Sequence, residues 1–333
     1  MPPRDLILVL LIVLAWAGNF LTSAHALREI PPFLFTALRF AFLALPLLYW
    51  LKPPAQGQWP RLVAVGLCVG VFHFGLSFAA LKIAGNLSTP AIVLQSYVPM
   101  TALLAWAVLG ERFAWRTGMA IGLSFSGVLV LGFDPLVMQQ PFALLLMLVS
   151  ALFLAIGTVL MKPLRGLNVY SQQGWTALVS IVPLLAISAA IEPGGFAALT
   201  ETSWIGWLGV AYAAYIASLL GHGLYYVLVQ RHPIALVTPW LLLTPVFAVA
   251  LGIAFWGDRP GPRLIVGGVM VLGGVLIVAL RAIAKSRAAT HTSAPAASVG
   301  VPGVPMAVET VPQPAAAIGG SNIDATGSKP RGE

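Results

Sequence analysis

Charge is what this sequence has least of. Asp, Glu, Lys and Arg make up 8% of its residues, against 59% hydrophobic, where a soluble domain carries roughly 25% charged residues. So few charges cannot cover a water-exposed surface, which excludes a soluble globular domain. Cysteine is nearly absent. Cys68 stands alone in an apolar run, which excludes an intramolecular disulfide and a cysteine-rich metal site. No Asp or Glu falls at the centre of an apolar run, so the carboxylate proton relay used by many pumps has no candidate. There is also no Walker loop and no Ser-His-Asp or metal-ligand spacing that stands out. ATP hydrolysis and a membrane-embedded enzyme, the remote alternative, therefore lack residues to act with, and no cofactor is expected. The net charge of +8 does not point to nucleic acid, because Lys and Arg sit mainly between the apolar runs, where topology signals belong.

What is present is apolar length. A helix needs about twenty apolar residues to cross the hydrocarbon core, and ten such stretches are predicted, at roughly 5–24, 33–51, 61–83, 88–109, 115–133, 142–161, 174–191, 204–228, 234–255 and 263–282. Backbone groups must be paired within each segment in lipid, so the expected fold is an all-α integral membrane protein of ten transmembrane helices. The first run, Leu6 to Phe20, has no convincing small-residue cleavage site before Arg28 and Glu29 and is expected to be retained. With the N-terminus inside, the inner loops hold eight basic residues (Arg4, Lys52, Arg61, Arg112, Arg116, Lys162, Arg165, Arg231) and the outer loops four (Arg28, Lys82, Arg259, Arg263). That bias puts both termini in the cytoplasm. Residues 285–333, rich in Ala, Pro, Gly, Ser and Thr without apolar period, are expected to be a disordered cytoplasmic tail.

The chain writes one pattern twice. Pro90 follows His73 by seventeen positions, and Pro239 follows His222 by seventeen. Gly110-Glu111-Arg112 is followed by Gly127-Val128-Leu129, and Gly257-Asp258-Arg259 by Gly274-Val275-Leu276, with sixteen positions from acid to glycine in each. Matched offsets in apolar surroundings indicate an internal duplication, with one half over residues 1–135 and the other over 136–284. Five helices per half is an odd number, so the second half crosses the membrane in the opposite sense. Inverted repeats of this kind build secondary transporters, with the substrate near the midplane between the halves.

With these motifs in place, the chain resembles the drug/metabolite transporter superfamily and within it the ten-span EamA-type family. The resemblance rests on Ala15-Trp16-Ala17-Gly18-Asn19-Phe20, Leu38-Arg39-Phe40, Leu109-Gly110-Glu111-Arg112, Pro245-Val246-Phe247 and Gly257-Asp258-Arg259, and covers about residues 5 to 282. Pro31-Pro32 ahead of Leu38-Arg39-Phe40 makes the first half similar to bacterial exporters of amino acids and related metabolites. It implies an inner-membrane exporter of small polar metabolites; multidrug efflux within the same superfamily is the nearer alternative.

The candidate substrate contacts are Trp16, Asn19, Arg39, His73, Gln95, His222, Tyr225 and Trp240. Arg39 is the one obligatory charge well inside a span. A lone cation there costs at least about 2.5–3.5 kcal/mol, so it must face the protein interior, either as counter-charge to a substrate carboxylate or as a strut between helices. His73 and His222 hold matched places in the two halves, suited to proton coupling or polar contact, or to core hydrogen bonds. Trp16, Tyr225 and Trp240 supply aromatic surface, while Asn19 and Gln95 supply amides. Glu111 and Asp258 are expected to pair within their own turns. Gly118-Xaa3-Gly122, Gly267-Gly268 and Gly273-Gly274 are read as close-packing faces, suited also to a homodimer.

Overall fold

Proline opens several of the helices, at the position where its missing N–H costs nothing. The computed structural model describes residues 2–110, 113–232 and 234–292. Its long helices are α1 (Pro3–Ala26), α2 (Pro32–Trp50), α3 (Trp59–Ala84), α4 (Ser88–Leu109), α5 (Trp115–Gly132), α6 (Pro141–Met161), α7 (Val169–Ile191), α8 (Trp204–Arg231), α9 (Pro239–Trp256) and α10 (Pro262–Ala284). Pro3, Pro32, Pro141 and Pro262 each begin one. Gly85, Gly110 and Gly257 stop α3, α4 and α9 at positive φ (64°, 67° and 83°), the left-handed cap that glycine adopts without strain. Among the described residues, nine helices are long and apolar enough to cross a membrane; α5 has spanning length, but Arg116 and its Gly, Ser and Thr residues dilute it. The protein is a multi-pass, all-helical membrane protein. Its last helix continues to Thr292, past the expected tail boundary at 284; the rest of the tail lies outside the described residues.

The helices pack in a pattern that maps onto itself when each helix is exchanged for the one five places away. α1 lies against α8 and α9, and α6 against α3 and α4; α2 touches α8 as α7 touches α3; and α2 with α7, like α4 with α9, join matched helices directly. These matched pairs run antiparallel. Phe33 and Leu34 at the start of α2 meet Glu192 at the end of α7, while Lys52 beyond α2 meets Ser171 at the start of α7. Leu87 and Ser88 at the start of α4 meet Asp258 beyond α9. Asp134 after α5 reaches Leu264 in α10, and Arg281 of α10 reaches Thr117 of α5. Asp258 thus caps another helix, where the sequence suggested pairing inside its own turn; Glu111 and Arg112 lie outside the described residues.

Two helices break. Pro99 cannot donate to the Gln95 carbonyl, so α4 unwinds at Gln95–Ser96 and the Val98 N–H takes that carbonyl instead, at 3.1 Å. Pro245 has the same relation to Leu241, and α9 breaks at Leu242.

Candidate functional site

The candidate site is built around a stretch of α8 that is wound too loosely. Residues Tyr212–Leu220 are π-helical, as are Gly66–Phe74 of α3 at nearly the same place in the other half. Such a turn takes carbonyls out of the ordinary ladder and offers them to other groups, a common feature of functional sites. Three neighbours use them here. The Ser218 hydroxyl donates to the Ala213 carbonyl (2.8 Å), the Trp16 indole donates to the Ala217 carbonyl (3.0 Å), and His222 Nδ1 lies 3.1 Å from the Ser218 carbonyl. A carbonyl can only accept, so His222 Nδ1 carries a proton, and in the neutral imidazole Nε2 is the free acceptor. Gly221 makes this close fit feasible: a Cβ there would sit 2.6 Å from the Trp16 indole nitrogen.

Arg39 enters this cluster from α2. It is 2% exposed, and its Nη2 donates to Ser218 Oγ at 2.7 Å. The guanidinium lies 3.9 Å from the centre of the Phe74 ring, with Phe40 and Phe78 at 5.4 and 5.5 Å. Desolvated cation–π contacts of this kind contribute about 2 kcal/mol. Among the described residues, Arg39 Nε and Nη1 are buried donors without a hydrogen-bond partner. Among the described residues, one side-chain oxygen and three ring faces meet this full positive charge, and no carboxylate does.

His73 joins through Phe74, whose ring centre is 4.5 Å from its own. On its other side, His73 Nδ1 lies 2.9 Å from Ser150 Oγ on α6, and that hydroxyl donates to the His73 carbonyl at 2.9 Å. With the serine proton committed, His73 Nδ1 is the donor, the same assignment as in His222, and in the neutral ring Nε2 is the free acceptor. The two histidines therefore face different partners, α6 and α1, across the Arg39 cluster.

The structure thus links five of the eight expected residues into one chain of contacts: Trp16 to His222 (ring centres 5.2 Å) and Tyr225 (6.2 Å), His222 through Ser218 to Arg39, and Arg39 through Phe74 to His73. Asn19 lies one turn beyond Trp16, its amide oxygen accepting from Ser23 Oγ at 3.3 Å. Gln95 sits in the α4 break, and Trp240, 44% exposed, lies just before the α9 break; the described contacts bring neither to the cluster. Phe74, Ser150 and Ser218 were missed. Ser218 precedes His222 by one helical turn and Phe74 follows His73 directly, so helical spacing around each histidine was the signal available.

The EamA-like transporter family matches this chain twice, over residues 4–133 and 141–280. A protein of Escherichia coli K12 named probable amino-acid metabolite efflux pump is 27% identical over 83% of this chain and 95% of its own length. A probable terminal-alkyne amino-acid exporter of Streptantibioticus cattleyicolor is 25% identical over 61% of this chain and 67% of its own. A solved crystal structure shares the fold, with a TM-score of 0.55 at 18% identity over 84% of this chain and 98% of its own.

Proposed function

The chain belongs to the EamA-like transporter family, and from that premise we propose that it exports amino acids or related carboxylate-bearing metabolites across the bacterial inner membrane by alternating access. Arg39 carries the reading. It is a buried cation with two donors left over, held over aromatic rings at the junction of α1, α2, α3 and α8. A substrate carboxylate would satisfy those donors with charge-assisted hydrogen bonds, while Trp16 and Tyr225 offer apolar surface to the side chain. The amino-acid efflux and exporter names of the two relatives agree with that chemistry. Multidrug efflux would use the same rings, but the fixed positive charge repels the cations such a pocket favours.

The two halves act as inverted copies, a reading supported by the antiparallel matched pairs, the self-mapping packing and the double family match. Single cysteines replacing Arg112 and Arg259, in a Cys68→Ser background, are expected to react with an impermeant maleimide from opposite sides of oriented vesicles; reaction from the same side would remove the inverted arrangement. With no carboxylate at the centre of a span, His73 and His222 are the nearest groups for proton coupling, each free to take up a proton at Nε2 when its ring is neutral.

The direct test is counterflow in reconstituted vesicles. Vesicles preloaded with amino acids are expected to accumulate the labelled form, whereas the corresponding amino-acid amides, which lack the carboxylate, support little exchange. Equal exchange of amides, or exchange of lipophilic cations alone, would overturn the carboxylate reading.

A further inference from the structure

Four carboxylates repeat one arrangement at one end of the bundle, each meeting the start of a helix that belongs to the other half: three accept from its first backbone N–H groups, and Glu29 holds the N-cap serine. Glu29, after α1, accepts from the Ser203 N–H (2.6 Å) and hydroxyl (2.7 Å) at the start of α8. Glu192, after α7, accepts from the N–H groups of Phe33 (2.9 Å) and Leu34 (3.0 Å) at the start of α2. Asp258, after α9, accepts from the N–H groups of Leu87 (3.0 Å) and Ser88 (2.9 Å) and from the Ser88 hydroxyl (2.6 Å) at the start of α4. Asp134, after α5, accepts from the Leu264 N–H (3.0 Å) at the start of α10. Neighbouring contacts tie the four into one belt. Glu29 and the Glu192 site share the loop before α2, Arg28 and His25 pack on Trp256 at the end of α9, and Gly261, just beyond Asp258, packs on Asp134. Directly beneath lie Leu27, Ile30, Leu34, Phe35 and Leu87, all fully buried.

At the opposite end, the matching junctions among the described residues use other groups. There Lys52 backbone groups meet Ser171, the Arg165 N–H donates to Gln58, and Arg281 donates to Thr117. Asp5 at that end pairs with the side chains of Arg231 and His232, not with a helix start. Of the helices that start there, α1, α3 and α5 receive no cap hydrogen bond from their own N-cap side chains and α7 is capped by its own Asn168; Glu111, the sequence counterpart of Asp258, and Pro233 ahead of α9 lie outside the described residues. A carboxylate at a helix N-terminus gains both charge-assisted hydrogen bonds and the favourable helix dipole. Among the described residues, carboxylates from one half on helix starts of the other are found at this one end.

Building on the alternating-access reading above, we propose that Glu29, Asp134, Glu192 and Asp258 form the gate at this end, holding it closed in the present conformation and releasing their helix starts when the cavity opens there. The test uses Cys68→Ser protein with a reporter, Ser23→Cys, which lies fully buried beneath the belt, and an impermeant maleimide applied from the belt side. Glu29→Gln combined with Glu192→Gln is expected to raise the labelling rate about tenfold, as a shifted two-state equilibrium would. Glu201→Gln, an exposed carboxylate in the loop between the same two helices, is expected to leave it unchanged. Labelling at the wild-type rate in the double variant overturns the gate. So does an equal rise at a second reporter, Leu62→Cys near the opposite end, since that signals general loosening. Labelling needs no substrate, so a failed amino-acid panel and a failed gate give different results.

Discussion

Arg39→Met is expected to lower amino-acid counterflow by at least about 30-fold while leaving the thermal midpoint of the purified protein unchanged or higher. The two halves of that statement come from opposite sides of one ledger. Removing one partner of a buried charge pair costs about 2–5 kcal/mol, and each 1.36 kcal/mol is tenfold in rate, so loss of the substrate's counter-charge is severe for transport. In the substrate-free protein, however, the guanidinium meets one hydroxyl and three ring faces, with Nε and Nη1 unpaired among the described residues. Replacing such a charge by an apolar side chain of similar length is often neutral or stabilising. A strut between α2 and α8 predicts the reverse, a protein that loses stability first and activity in proportion. Counterflow and thermal unfolding measured on the same preparation separate the two, and a fall in midpoint with matching loss of flux would make Arg39 a strut. Ser218→Ala is the gentler companion. It removes the hydrogen bond that fixes Nη2 and is expected to weaken exchange by a smaller factor, about tenfold.

How these residues meet was only partly legible in the sequence. The ten apolar stretches, the matched motifs and the placing of Arg39, His73 and His222 follow from composition and spacing, because lipid forces helices and a lone cation must face inward. The π-helical turns were not legible. They depend on how Ser218, Trp16 and Gly221 share carbonyls across α1 and α8, a tertiary arrangement that no local propensity encodes. The capping role of Asp258 was hidden for the same reason, since its partners Leu87 and Ser88 lie 171 and 170 residues away. Trp240 and Gln95 read in the sequence as aromatic and amide groups within spans; helix rotation, which period alone leaves open over the short segments between breaks, decides where they point.

The glycines of α5 and α10 show the same limit and carry the second large effect. Small-residue spacing marked Gly118, Gly122 and Gly273 as close-packing positions alongside Gly267, Gly268 and Gly274, yet a Cβ at Gly122 or Gly273 would meet nothing within 4 Å. The seam is made by Gly267 and Gly274, which the spacing marked, with Gly127, which it did not. A Cβ on Gly127 would sit 2.6 Å from the Gly267 carbonyl oxygen and 2.7 Å from the Val271 nitrogen, and one on Gly274 would sit 2.6 Å from the Ala120 carbonyl oxygen. These neighbours are backbone atoms, so they cannot swing aside as a side chain would, and the helix axes must part. Parting them strips contacts along both helices and strains the Asp134 cap and the Arg281–Thr117 hydrogen bond at the two ends of the seam. Gly127→Leu is therefore expected to destabilise the protein by about 3 kcal/mol or more, as overpacking against an unyielding neighbour does, seen as a thermal midpoint lowered by roughly 10 °C or as loss of folded protein on solubilisation. Gly122→Leu, on the same helix but facing open space, is expected to leave the midpoint within a degree or two of the parent, about what an exposed substitution allows. Equal tolerance of both would mean that α5 and α10 do not meet along this seam, and the antiparallel pairing of the fifth and tenth helices would go with it.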